Sequence, residues 1–186
     1  MEKNVATRVV RMTEAGLYDR SLPGSKKVAR ILVVEDDFDI QQILGVYLKH
    51  AGFDVQSASD GNEAIRIIPE FCPDLIVLDL MMQPVDGWAV LEWLHADLDS
   101  SPSTSSPIPV LVLTALNHLK EQVHGFEKGA VEYMTKPTQP RAIVERIRTI
   151  LALSVEQRAM LQRKRIDEQR ETLERVSAPQ PDEFVY

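Results

Sequence analysis

Residues 31–34, Ile-Leu-Val-Val, form a β-branched apolar run that breaks without transition into Glu35, Asp36 and Asp37. A continuous apolar block this short, bounded by charge, reads as a strand buried on both faces, as in a parallel sheet. The stretch after it, Phe38 to Ala51, places Phe38, Ile43, Leu44, Val46, Tyr47 and Leu48 at helical spacing, and Gly52 supplies the stop. Strand, acidic turn and helix make one unit, and the unit recurs.

Phe53 to Ser57 reads as a second strand, and Asp60 with Glu63 three positions on marks the start of a helix that runs through Ile68 and ends at Pro69. Leu75 to Leu78 is a third strand, Gly87 to His95 a helix, and Val110 to Leu113 a fourth strand. Asn117 to Lys128 is helical and closed by Gly129, Val131 to Met134 is the last strand, and a fifth helix starts after Pro140. Five strands alternating with five helices predict an α/β doubly wound parallel sheet. The segment Asp97 to Pro109 interrupts the rhythm. Its Ser-, Thr- and Pro-rich centre has nothing to bury and reads as a flexible loop insertion.

The ends obey other rules. Residues 1–27 mix charges with Gly16, Pro23 and Gly24 and read as a poorly ordered arm, with room for a short amphipathic helix around Val5 to Leu17. Residues 28–150 hold the strand and helix units. Residues 151–176 read as a prolongation of the last helix, with Ala152, Val155, Ala159, Gln162, Ile166, Gln169, Leu173 and Val176 forming a weak coiled-coil seam for self-association or partner docking. Residues 177–186, with Pro179 and Pro181, read as a disordered tail. The stretch beyond Ile150 is too short for a second globular domain, so the output is expected in another protein.

Charge and composition restrict partners. With a net charge of −7 and a pI near 5.1, the chain has no overall basic field to hold nucleic acid, and direct DNA binding is disfavoured. Cys72 is the only cysteine, which rules out an internal disulfide framework and suggests core packing. No apolar run approaches the roughly 18 residues of a membrane span, and the first thirty residues lack a signal-type apolar stretch, so a soluble cytoplasmic protein with no membrane partner is expected. His50, His95, His118 and His124 are not paired at i and i+4 and are assigned no metal.

In a doubly wound sheet, ligands sit outside the carboxyl ends of the strands. There the sequence puts Glu35 and Asp36 after the first strand, Asp79 after the third, Thr114 at the end of the fourth and Lys136 after the fifth. Crowded carboxylates repel, and a hard divalent cation keeps them ionised together; Mg²⁺ suits because it accepts one or two carboxylates plus phosphate oxygens and water. An aspartate beside such an ion can attack phosphorus while a lysine offsets charge on the transferring oxygens. Singly, each residue has a plainer role. Asp37 reads as a helix cap, Thr114 as a strand-end hydroxyl, Lys136 as a surface charge, Tyr133 as a strand aromatic, and Trp88 and Trp93 as packing.

Four segments, "ILVVEDD", "DLIVLDLMMQPVDGW", "VLVLTA" and "EYMTKP", resemble the signature segments of receiver domains of two-component response regulators, over about Val28 to Ile150. The resemblance implies a flavodoxin-like sheet of strand order 2-1-3-4-5 with Asp79 as phosphoacceptor. It implies Mg²⁺ held by Glu35, Asp36 and Asp79, with Asp36 a direct ligand and the Met81 main-chain carbonyl completing the site. It further implies that Lys136 pairs with the phosphoryl group, that Thr114 and Tyr133 act as switch residues, and that the Lys136–Pro137 bond is cis.

By the same resemblance, the donor is a sensor histidine kinase or phosphotransfer protein and the receiver of the signal an unidentified downstream protein, with a homodimer through the last helix as one form of output. Such a chain catalyses its own phosphorylation and dephosphorylation. The apolar Met81 and Leu116, at positions flanking the hydrolytic water in the family, imply slow self-dephosphorylation. Two departures stand out. Gln83 occupies a position where the family usually has proline, with Pro84 next to it, and the loop before the fourth strand is extended.

A haloacid-dehalogenase-like phosphatase needs a second aspartate two positions after the nucleophile, where this chain has Met81. A flavodoxin-like redox carrier would set an FMN phosphate against the acidic edge. The remaining alternative is a constitutive docking scaffold whose receiver chemistry is idle.

Overall fold

The structure is a computed structural model that describes residues 28–100, 107–115 and 119–177, with 97–100 and 177 in backbone alone. Five parallel strands, β1 (Arg30–Val34), β2 (Asp54–Ala58), β3 (Leu75–Leu78), β4 (Val110–Thr114) and β5 (Ala130–Thr135), lie in the order β2-β1-β3-β4-β5. Between and after them run α1 (Phe38–His50), α2 (Gly61–Phe71), α3 (Gly87–Ser100), α4 (Leu119–Glu127), α5 (Pro140–Ala152) and α6 (Val155–Ser177).

The period of two along each strand divides the core into two layers. Ile31, Val33, Leu75, Val77, Leu111 and Leu113 pack with Leu44 and Leu48 of α1 and Ile143 and Ile147 of α5. Leu32, Val34, Ile76, Leu78 and Val112 pack on the other face with Ala64 and Ile68 of α2, Leu91 of α3 and Phe126 of α4. Because both faces are covered there, β1, β3 and β4 carry continuous apolar blocks, and each such buried side chain contributes roughly 1.5–3 kcal/mol. The strand order and the doubly wound layering agree with the sequence reading.

Helix ends reflect local chemistry. Asp37 caps α1, its carboxylate accepting from the N–H groups of Asp39 and Ile40, and Gly52 takes up φ 93° beyond the other end. Asp60 caps α2 by accepting from Glu63 N–H, while Glu63 reaches back to Ser59. Two boundaries differ from expectation. Pro69 lies inside α2 rather than ending it: a proline deletes its own donor, but the donors after it are intact, and Cys72 N–H still closes onto the Ile68 carbonyl. Cys72, at φ 47°, is the true terminus, so it is a half-buried helix cap and not a core residue. Likewise α3 continues past His95 to Ser100, into the segment read as loop.

The largest difference is at the C-terminal end. The expected long C-terminal helix is present, but as a separate helix and not a prolongation: α5 stops at Ala152, Leu153 is extended, and α6 begins. Ser154 and Gln157 enforce the restart, since Ser154 Oγ accepts from Gln157 N–H and the Gln157 side chain accepts from Ser154 N–H. α6 then returns along α4 and β5. Gln162, Ile166, Gln169 and Leu173 of the expected seam are half-buried, whereas Ala152, Val155, Ala159 and Val176 are exposed.

The arm at 1–27, the tract at 101–106, Leu116 and the tail from 178 lie outside the described residues. Among the described residues, no helix is long and apolar enough to cross a membrane.

Candidate functional site

Backbone pairing brings the acidic residues together. Asp79 N–H donates to the Val34 carbonyl and Glu35 N–H to the Ala58 carbonyl, so the ends of β3, β1 and β2 are tied in one row. The side-chain amide of Gln41 spans the β1 and β2 ends, donating to the Glu35 and Ala58 carbonyls at 3.0 and 3.1 Å. Across the sheet, Lys136 N–H donates to the Thr114 carbonyl at 2.9 Å. Each tether ends on the main chain, and together they fix where the side chains start.

The side chains then converge. Glu35, Asp36 and Asp79 offer carboxylate oxygens that all lie within 4.8 Å of one another. Glu35 and Asp79 are buried, while Asp36 is exposed at the rim. Lys136 Nζ sits between the buried pair, 2.5 Å from Asp79 and 2.7 Å from Glu35. The other Asp79 oxygen accepts from Met81 N–H at 2.9 Å.

Electrostatics arise from burial and pairing. Burial pushes the Glu35 carboxyl above its ordinary value, against the opposing pull of Lys136. Burial also disfavours the Lys136 charge, but its hydrogen bonds to Asp79 and Glu35 outweigh that, and its pKa is raised. One ammonium facing three carboxylates leaves the cluster short of positive charge. The donor set is all oxygen, with one carboxylate open to solvent, and so fits a hard divalent ion that keeps part of its water shell; Glu35, Asp36 and Asp79 are the residues to hold it.

Thr114 is fully buried at the end of β4. The Tyr133 ring lies against Phe126 at 6.3 Å between ring centres, and a Cβ on Gly125 would touch it at 3.6 Å. Burial foremost, then the negative charges of Glu121 and Asp79, raise its phenol pKa. The Lys136–Pro137 bond is cis, and so is the Gln83–Pro84 bond, where the chain departs from the family pattern.

Two features are hidden from the sequence reading. Gly87 reads there only as a helix start, yet a Cβ on it would sit 2.1 Å from the Asp79 carbonyl oxygen, so the loop can return beneath Asp79 only on a glycine. Its one visible signal is Asp-Gly, a turn dipeptide, straddling a helix start. The second is Glu132, a buried carboxylate on β5. A bulge there pairs Leu111 with Glu132 after Val110 with Ala130, and Glu132 meets Arg146 of α5 and Arg165 of α6 at 3.2 and 3.3 Å. A charge inside a strand is the available clue.

The family described as "Response regulator receiver domain" matches residues 31–148. The chain is 39% identical over 122 residues to the DNA-binding dual master transcriptional regulator RpaA of Synechocystis sp., a match covering 66% of this chain and 48% of that protein. It is 38% identical over 122 residues to the DNA-binding response regulator MtrA of Mycolicibacterium paratuberculosis, covering 66% and 51%. The chain thus spans about half the length of the curated relatives it matches. Among solved structures, the receiver domain of the Francisella response regulator 1452 is similar, with a TM-score of 0.59 and 29% identity, covering 66% of this chain and 96% of that one.

Proposed function

Because the chain belongs to the response regulator receiver domain family, a family that works with histidine kinases, we propose that Asp79 accepts a phosphoryl group from a phosphohistidine donor and that the chain signals through changed protein contacts. An Asp79 oxygen attacks phosphorus; the N–P bond of the donor breaks, its electron pair stays on the imidazole nitrogen, and a carboxyl O–P bond forms. Lys136 Nζ, already 2.5 Å from Asp79, exchanges that contact for a phosphoryl oxygen and offsets its charge. The Thr114 hydroxyl is the second hydrogen-bond donor to the group, and Tyr133 fills the space that Thr114 leaves. Mg²⁺ on Glu35, Asp36, Asp79 and the Met81 carbonyl would supply charge neutralisation for the phosphoryl oxygens and the carboxylates together.

The observation that carries this reading is the ammonium held between two buried carboxylates, with a third at the solvent rim. The test is incubation with acetyl phosphate and Mg²⁺ and then intact mass. One phosphoryl mass is expected on the wild type and none on Asp79→Asn; a wild type that gains none is an idle scaffold, and the reading fails. The apolar side chain of Met81, exposed beside the cluster, supports slow loss of the group once formed. Mass spectra taken after donor removal check this, and release within seconds contradicts it.

A further inference from the structure

We infer that α6 is an intramolecular clamp on the α4–β5 face, released when Asp79 is phosphorylated. The inference rests on the phosphoacceptor reading of Asp79 and adds a regulatory consequence to it.

The clamp is pinned on both sides of one seam. On the α4 side, the Gln162 amide donates to the Phe126 carbonyl and the Arg170 guanidinium pairs with Glu127. On the β5 side, Arg165 pairs with the buried Glu132, which Arg146 also holds from α5. Between the anchors, Ile166 packs on the core cluster that contains Phe126 and against which the Tyr133 ring also lies. So α6 is fitted to one particular placement of α4 against β5.

That placement is joined to the acidic edge. Thr114 at the end of β4 leads toward α4, its carbonyl bonds Lys136 N–H, and Tyr133 lies three residues before Lys136 on the chain. A phosphoryl group that draws the Thr114 hydroxyl toward Asp79, while Lys136 stays in contact across the site, shifts the β4 end and α4 relative to β5. A rigid helix fastened to both cannot track both. Either the Gln162 and Arg170 contacts or the Arg165 contact must open.

Release is also energetically accessible. Few apolar side chains hold α6 down, Leu161 and Ile166 among them, and its outward face carries Arg163, Lys164, Asp167, Glu168 and Glu171. A helix docked mainly by polar contacts belongs to the low-stability end of a fold, and a polar helix alone in water is marginal. By linkage, whatever α6 gains from the unphosphorylated placement opposes phosphorylation to the same degree.

The test is hydrogen exchange on the full chain with Mg²⁺, with and without beryllofluoride as phosphoryl mimic, with binding monitored separately by ¹⁹F NMR. Amides of α6 between about residues 160 and 175 are expected to exchange at least tenfold faster in the bound wild type, with the strands unchanged and no effect in Asp79→Asn. A double variant, Arg165→Ala with Arg170→Ala, loosens α6 beforehand and is expected to bind beryllofluoride about threefold or more tightly than wild type. Bound beryllofluoride with unaltered α6 protection overturns the clamp, as does unchanged affinity in the double variant. Absence of any binding overturns the Asp79 reading and the clamp with it.

Discussion

Lys136 stands between two buried carboxylates, and removing it shows what its charge offsets. Lys136→Gln leaves Glu35 and Asp79 facing each other without a cation, and a broken buried ion pair costs on the order of 3 kcal/mol. Thermal unfolding of the variant in chelator should show that loss, and added Mg²⁺ should raise its midpoint by more than it raises the wild type's. An equal rise in both would mean that the carboxylates are not the ion's ligands. Gly87→Ala places a methyl group 2.1 Å from the Asp79 carbonyl oxygen. The loop must move, and a loss of roughly 1–3 kcal/mol in urea unfolding is expected, with slower phosphoryl uptake from the displaced Asp79. Glu63 offers a pH test away from the site. Its hydrogen bonds from Ser59, the main-chain N–H first, hold its carboxyl below the ordinary 4.5. A depressed carboxylate stabilises the fold above the unfolded-state value and ceases to do so as pH falls through the folded value. Glu63→Gln should therefore be less stable than wild type at neutral pH, by no more than about 0.5 kcal/mol for so exposed a group, and the gap should close in urea titrations as pH falls below the ordinary carboxyl value.

At the level of elements, the residues alone reveal whatever depends on neighbours in sequence. The apolar blocks mark the strands, the acidic residues after Val34 and Leu78 mark the ligand edge, and Asp37 and Gly52 mark the limits of α1. Pro69 misleads because a proline acts on its own bond and on the carbonyl four residues back, not on the donors beyond it. The break before α6 is in principle visible as Ser154 with Gln157 three positions later, but the heptad spacing across it argues for continuity. A seam also does not say whom it faces, and only the fold shows α6 lying on α4 and β5. Ser154→Ala removes the hydroxyl that accepts Gln157 N–H and should weaken α6 by about 1 kcal/mol. Faster amide exchange confined to α6, with the urea midpoint of the sheet unchanged, is the expected signature.

For the molecule as a whole, half of the seam that promised association is engaged at home. Gln162 and Ile166 contact the chain's own domain, so light scattering without phosphodonor should report a monomer at micromolar concentration. A dimer under those conditions would show that the exposed part of the seam suffices. Which layer a residue joins, and which charges end up buried, is beyond the sequence: Glu132 becomes a buried anchor only because a bulge in β5 turns it toward α5 and α6.

The short non-helical link at Leu153 and Ser154 has a consequence for affinity measurements. A ligand tied to its binding surface by so short a leash acts at an effective concentration on the order of millimolar. Any outside protein that seeks the surface under α6 competes with that internal ligand, so its measured dissociation constant reports a contest and will tighten when the leash is lengthened or cut.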